Sequence, residues 1–325
     1  MSIAVPLYGF GASGGGSGGT LTVTAPANVT VTVSKDGKTK TKNSGTSGVV
    51  VFKGLASGTW TVTITGDGKT AQKNVVITTD YSTAISFNTI PEFTYTGDYE
   101  IVNDSDEPIT VSQGNWKIRF LTSGTLTFTN LNGAEGGIDV FLVGGGGAGG
   151  NGVWENGYLK PDRRGGGAGA GYTTTKTGVS VTINTPYSIN IGAGAAAPFT
   201  DPKENGSAGG DTSAFSFTAK GGGAPKNGAG GNGGSGGGNS NYEGATNGGG
   251  GTNAGAGQGT TTREFGESTG KLYATGGSGV SKKNGQANTG DGGSGGKGAE
   301  IQGTSPSGGS GGSGIAIIRN AREAA

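Results

Sequence analysis

The sequence predicts an all-β chain in two parts: an N-terminal β-sandwich, then a β-scaffolded glycine-rich domain with packed polyglycine-II helices. Three observations carry this reading. Val29, Val31 and Val33 open a series of short segments in which apolar residues alternate with Thr and Ser, the period-two pattern of half-buried strands. No stretch offers a run of good helix formers with caps. Of 325 residues 76 are glycine, and 56 of these follow Val143, bracketed by apolar strands at 138–143 and 314–319. A flexible linker would not need that bracket; a closed domain would.

Composition narrows the chemistry. Only 30% of the chain is hydrophobic, so an oily core can serve only part of it. Without Cys or His there are no disulfides, thiolates, imidazole bases or usual zinc ligands. Lys plus Arg number 23 against 22 Asp plus Glu, far from the basic excess that nucleic-acid binding demands. No segment has the length of apolar residues needed for membrane insertion. The first ten residues lack the charged and long apolar regions of a signal peptide, which implies synthesis in a cytoplasm without export by that route.

Residues 1–19 read as an apolar arm, with Val5, Leu7, Tyr8 and Phe10, joined to a Gly/Ser spacer. With little to pack on locally, the arm either docks on a neighbouring subunit or frays. Residues 20–90 form the sandwich, with six or seven strands marked by Val49 to Phe52, Trp60/Val62/Ile64, Val75/Ile77 and Ile85/Phe87. Asp36 with Gly37, and Asp67 with Gly68, supply the positive φ angles of tight hairpin turns. Residues 91–113 are a connecting β segment whose acidic turn, 103–108, lacks the distal Glu of a calcium loop.

Residues 114–325 are the glycine-rich domain. Trp116, Ile118, Phe120, Leu126 and Phe128 alternate with Lys117, Arg119, Thr125 and Thr127 across 122–124, which predicts a hairpin with one wet face. Further strand-like inserts fall at 172–175, 179–183, 187–191, 215–218 and 272–275.

Ordering glycine costs roughly 1–2 kcal/mol per residue or more, and no side chain is buried in return. Compensation must come from main-chain pairing, as in left-handed threefold helices that pack side by side. The runs 144–150, 165–171, 228–238, 248–259 and 308–314 suit such an array, with Ala, Ser and Asn at its rim. A strict G-X-Y repeat is missing and only 10 residues are Pro, so collagen is excluded. Between the runs come loops mixing aromatics with charges. Trp154, Tyr158, Phe199, Tyr242 and Phe265 are the candidate contacts, as stacking platforms.

Two motifs fail. The glycines of 142–150 follow a strand but no helix follows them, and 292–297 has Asp291 and Gly298 where a phosphate loop needs Gly and Ser or Thr. Glu155, Asp162, Glu204, Glu243, Glu264 and Glu267 are the loop carboxylates that glycosidic cleavage could draw on, yet nothing in the sequence sets two of them at the required separation. The expectation is a non-enzymatic protein with no cofactor and no metal.

The strand Val49 to Leu55 followed by Gly58-Thr-Trp60 and a second strand resembles the prealbumin-like modules of the PEGA-like and Cna-B-like kind, which implies a spacer and makes Trp60 a core anchor. The path 114–128, 138–150, the insert 171–175 and the closing 314–320 resembles the glycine-rich domain of phage and prophage tail and fibre proteins. That resemblance implies a virion component made in the host cytoplasm and released by lysis, most simply a tail-fibre or tail-tip adhesin. Its partners would be other virion subunits, met through the N-terminal arm, and a bacterial surface polysaccharide or protein, met through the loops. A homotrimer is one assembly compatible with that role. The alternative is a structural virion protein, a capsid decoration or a baseplate or fibre spacer, whose loops touch only other subunits.

Overall fold

A computed structural model describes residues 18–66, 69–85, 87, 90–110, 115–132, 134, 136–152, 165–197, 205–250, 255–280, 282–296 and 307–322. The chain divides into two compact units, 1–88 and 89–325.

The first unit has seven strands: β1 (Gly19–Thr24), β2 (Thr30–Lys35), β3 (Lys38–Asn43), β4 (Val49–Leu55), β5 (Gly58–Gly66), β6 (Lys69–Ile77) and β7 (Tyr81–Ala84). They form two sheets, ordered β4-β1-β7 and β3-β2-β5-β6. The alternating valines do what their spacing predicts: Leu21, Val23, Val31, Val33, Phe52, Val62 and Ile64 are buried in one cluster. Trp60 joins them, its indole N–H donating to the Ala56 carbonyl at 2.8 Å. Asp36 and Gly37, with φ of 49° and 74°, make the β2–β3 turn. Asp67 and Gly68 lie outside the described residues. Strand β3 is exposed at every position and carries no apolar alternation, so only the turn before it betrayed it.

The second unit begins earlier than the composition shift suggests. Its strands are β8 (Glu92–Tyr95), β9 (Tyr99–Val102), β10 (Lys117–Phe120), β11 (Gly124–Asn130), β12 (Ile138–Val143), β13 (Thr173–Val179), β14 (Pro186–Ile189), β15 (Thr212–Ala214), β16 (Phe217–Ala219) and β17 (Ile315–Asn320). The connecting β segment 91–113 contributes its two strands to the second unit's sheets, β8 pairing with β11 and β9 with β10. The expected 116–128 hairpin is also corrected. Strands β10 and β11 enter different sheets, β13-β12-β17-β10-β9 and β14-β11-β8, and the chain crosses between layers instead of turning back. Of its expected wet face, Lys117 and Arg119 are buried, only 4% and 5% exposed, while Thr125 and Thr127 are half-buried. Burial of two cations requires partners, and these are described below. The described residues contain no α-helix, only a 3-10 turn at Glu264–Gly266.

The five-stranded sheet buries apolar side chains on both faces. Ile138, Val140 and Leu142 of β12 pack with Ile118, Phe120 and Ile318 against the smaller sheet. Phe141, Val143, Ile315 and Ile317 face the other way, toward Phe265 and Tyr273. The two bracketing strands are neighbours, in antiparallel register from Ile138↔Asn320 to Val143↔Ile315.

At that end of the sheet, strands become glycine helices. Strand β12 continues into 144–150, β13 is preceded by 165–172, and β17 is preceded by 307–314. Backbone donors of 144–150 turn by one third per residue. Gly144, Gly147 and Gly150 donate to Tyr172, Gly169 and Gly166; Gly145 and Ala148 to Gly210 and Ser207; Gly146 and Gly149 to Gly312 and Gly309, all at 2.8–3.0 Å. Its carbonyls accept from three further segments, through Gly222, Ala195, Gly293 and Gly296. The run therefore has six neighbours, and the threefold period is that of polyglycine II.

Run 165–172 repeats the arrangement. Gly165, Ala168 and Gly171 donate to Gly296, Gly293 and Gly290, while Gly167 and Ala170 donate to Gly238 and Ser235. No glycine in either run has a positive φ. One expectation is corrected: Ala148, Ala168 and Ala170 are fully buried, inside the array and not at its rim. A methyl group fits wherever it points between neighbours.

A net gain of about 1 kcal/mol per backbone hydrogen bond is comparable to the ordering cost of a glycine. The array is thus near neutral by itself, and the apolar faces of the adjoining sheet supply the stability that holds it.

Candidate functional site

The glycine runs have one end on the sheet and the other away from it. Gly150, Gly166, Ser207, Gly238, Gly296 and Gly309 are linked by the pairings at that far end. The connections leaving it include those that carry Trp154, Tyr158 and Phe199, which lie outside the described residues, as do Val5, Leu7, Tyr8 and Phe10 of the arm. Tyr242 is described and is 41% exposed. Its backbone is pinned on both sides, Tyr242 N–H to the Asn239 carbonyl at 3.0 Å and Gly279 N–H to the Tyr242 carbonyl at 2.9 Å. The neighbouring Ser240 N–H donates to Gly228 at 2.9 Å, and the Asn239 side chain accepts from Asn241. An exposed ring on fixed main chain loses little freedom on binding, which is the economy of aromatic recognition surfaces. Next in sequence, Glu243 lines a groove of about 150 Å³ with Ser278, Lys283, Asn284 and Asp291.

Phe265 is corrected. It is 7% exposed and sits on the sheet, with its ring 5.7 Å from Phe141 and the Arg319 guanidinium 4.0 Å above it. The 262–274 segment folds down as a lid because Phe265 and Tyr273 find an apolar face to enter. An aromatic beside charges can look like a surface contact in sequence, whereas here the charges belong to the lid's own clasp.

That clasp lies at the end of the sheet face away from the array. Arg319 of β17 donates from Nε to Asp139 at 3.0 Å and from Nη1 to Glu267 at 2.5 Å. Lys117 binds Glu264 at 2.9 Å and Asp106 at 2.5 Å; Arg119 binds Asp106 and, at 3.3 Å, Glu100. Arg322 reaches Asp104 at 2.5 Å. Of these, Asp104, Asp106, Lys117, Glu264, Glu267, Arg319 and Arg322 line a polar cleft of about 490 Å³ that joins the acidic turn, the lid and the final strand.

Burial alone would raise the Asp106 carboxyl, but hydrogen bonds from Arg119 and Lys117, and their charges, hold it below the usual value. Asp104 is lowered in the same way, burial being outweighed by hydrogen bonds from Arg322 and Asn115. Glu264 and Glu267, two of the carboxylates considered for glycosidic cleavage, each face a cation in this network.

Two outcomes follow from the clasp. Folded carboxyls titrating below their unfolded value of roughly 3.9 add stability that is complete above about pH 5 and is lost as pH falls through the lowered values. Melting temperature should therefore fall steeply below about pH 4, and Asp106→Asn should flatten that decline. Tyr273, 1% exposed, has a hydroxyl without a partner among the described residues, and burial followed by the Glu264 charge pushes its ionisation well above the ordinary range. Tyr273→Phe should be neutral or stabilising by about 1 kcal/mol in denaturant unfolding.

No curated protein matches the chain. Among solved structures, a DUF3823 family protein from Bacteroides ovatus is similar at 8% identity, over 64% of this chain and 96% of that one, with a TM-score of 0.21. A family model described as a glycine-rich domain matches residues 121–321, from the crossover after β10 to the end of β17. The chain belongs to this glycine-rich domain family.

Proposed function

We propose that the protein is a binding component of a phage particle, a tail-fibre or tail-tip adhesin whose array displays loops to a bacterial surface. One observation supports this most: the glycine runs end together away from the sheet, and the described aromatic there, Tyr242, is exposed on pinned backbone. A hydrogen-bonded block without side chains spends few residues on a core and many on connections, and a display device needs that ratio. The protein acts by contact, not catalysis, and the N-terminal arm attaches it to other virion subunits.

Adsorption tests the reading. Purified protein should bind host cells and block infection by the parent phage. Tyr242→Ala should weaken binding about tenfold, the scale of a peripheral hot-spot residue, while leaving the melting temperature unchanged. Absence of binding and of blocking would favour a virion spacer.

A further inference from the structure

The β15–β16 hairpin turns on Phe215 and Ser216, whose φ angles are 51° and 67°. Two positive φ values in a two-residue turn are the province of Asn-Gly or Gly-Gly, and a bulky Phe there is an outlier. Strain of this kind persists where surrounding structure enforces it, and it clusters at functional positions.

The strained turn fixes an aromatic. The Phe215 ring lies 5.1 Å from that of Tyr187, tilted by 40°, and both are half-buried. Tyr187 is itself locked, its hydroxyl accepting from the Thr182 N–H at 2.8 Å, with Phe128 packed edge-on at 6.2 Å. The two rings, with Val179, Pro186 and the serines Ser180, Ser188 and Ser216, line a cleft of about 400 Å³. Among the described residues, no carboxylate, ammonium or guanidinium lines it.

The cleft's position follows from the topology. Strand β13 leaves the array at Thr173 and ends at Val179; β15 leaves it at Thr212, so the hairpin tip points away; β14 runs toward it through Ile189. The cleft is at the end of the unit opposite the loops.

We infer that this cleft is a second binding site, and that its ligand is a neutral saccharide. Each serine hydroxyl both donates and accepts, which matches the hydroxyls of a sugar, while a fixed ring offers a flat apolar surface to the sugar's C–H face. A site of few polar groups around an apolar platform is the usual build of a small-ligand pocket. The missing charges exclude the ion pairs that an acidic sugar or a phosphate would need. Nothing in this assignment depends on the loops at the other end.

The test is an amide NMR titration of the full chain with maltotriose, cellotriose and triacetylchitotriose. At least one should shift the amides of Ser180, Ser188 and Ser216 with a dissociation constant in the range of about 0.1–10 mM. Ser188 is exposed, so Ser188→Lys should leave the melting temperature unchanged while weakening binding at least tenfold. Phe215→Ala should weaken it as well. Unshifted amides with all three sugars, shifts confined to the loop end around Tyr242, or undiminished affinity in Ser188→Lys would each overturn the site. Cell adsorption through the loops reads the opposite end, so either reading can fail while the other stands.

Discussion

Gly146→Ala should destabilise the glycine-rich unit by about 3 kcal/mol, and Gly146→Val by about 5, in denaturant unfolding followed by tryptophan fluorescence. Gly146 lies in the central run, and a Cβ there would run into the Asp291 carbonyl, a main-chain atom that cannot swing aside. Relief requires the two segments to separate, and separation breaks the bonds that Gly293 and Gly296 donate to the Gly147 and Gly150 carbonyls. Two residues further on, Ala148 is buried without clash, so direction and not size decides the outcome. Gly136 has open space around the equivalent position, and Gly136→Ala should stay within about 0.5 kcal/mol of the parent.

Asp139→Ala should cost about 3–5 kcal/mol, the price of leaving a buried charge without its partner. Asp139 is fully buried on β12, accepts from Arg319 at 3.0 Å, and also takes the Gly178 N–H at 3.1 Å. Without it, Arg319 keeps, among the described residues, the half-exposed Glu267 and its stack on Phe265. The double change Asp139→Leu with Arg319→Met should lose much less than either single change, because hydrophobic replacement of a buried pair is often neutral. Urea unfolding of the four variants gives the coupling directly.

Much of this fold was legible. Alternating valines marked the sandwich, and the bracketing strands around the glycine tract turned out to be hydrogen-bonded neighbours, Val143 facing Ile315. Ordered glycine without a G-X-Y repeat left few geometries, and the threefold donor pattern of 144–150 is the one expected. Other features depended on long-range pairing that local pattern does not encode. The partners of β8 and β9 could not be read because they lie across a later turn, and Lys117 and Arg119 read as a wet face because their counter-charges come from Asp106 and Glu264. Phe265 was misjudged for the same reason. Its charged neighbours pair with Arg319 and Lys117, freeing the ring to enter the core. The Phe215–Ser216 turn gave no signal at all, since its residues are not those that a tight turn selects.

Amide hydrogen exchange of the glycine runs tests the central claim most directly. If the runs form a paired array, Gly146, Gly147, Ala168 and Gly169 should exchange only through opening of the whole unit, as slowly as the amides of β12 and β17. Exchange of these four at the rates of an unprotected chain, with β12 and β17 still protected, would show that no such array exists.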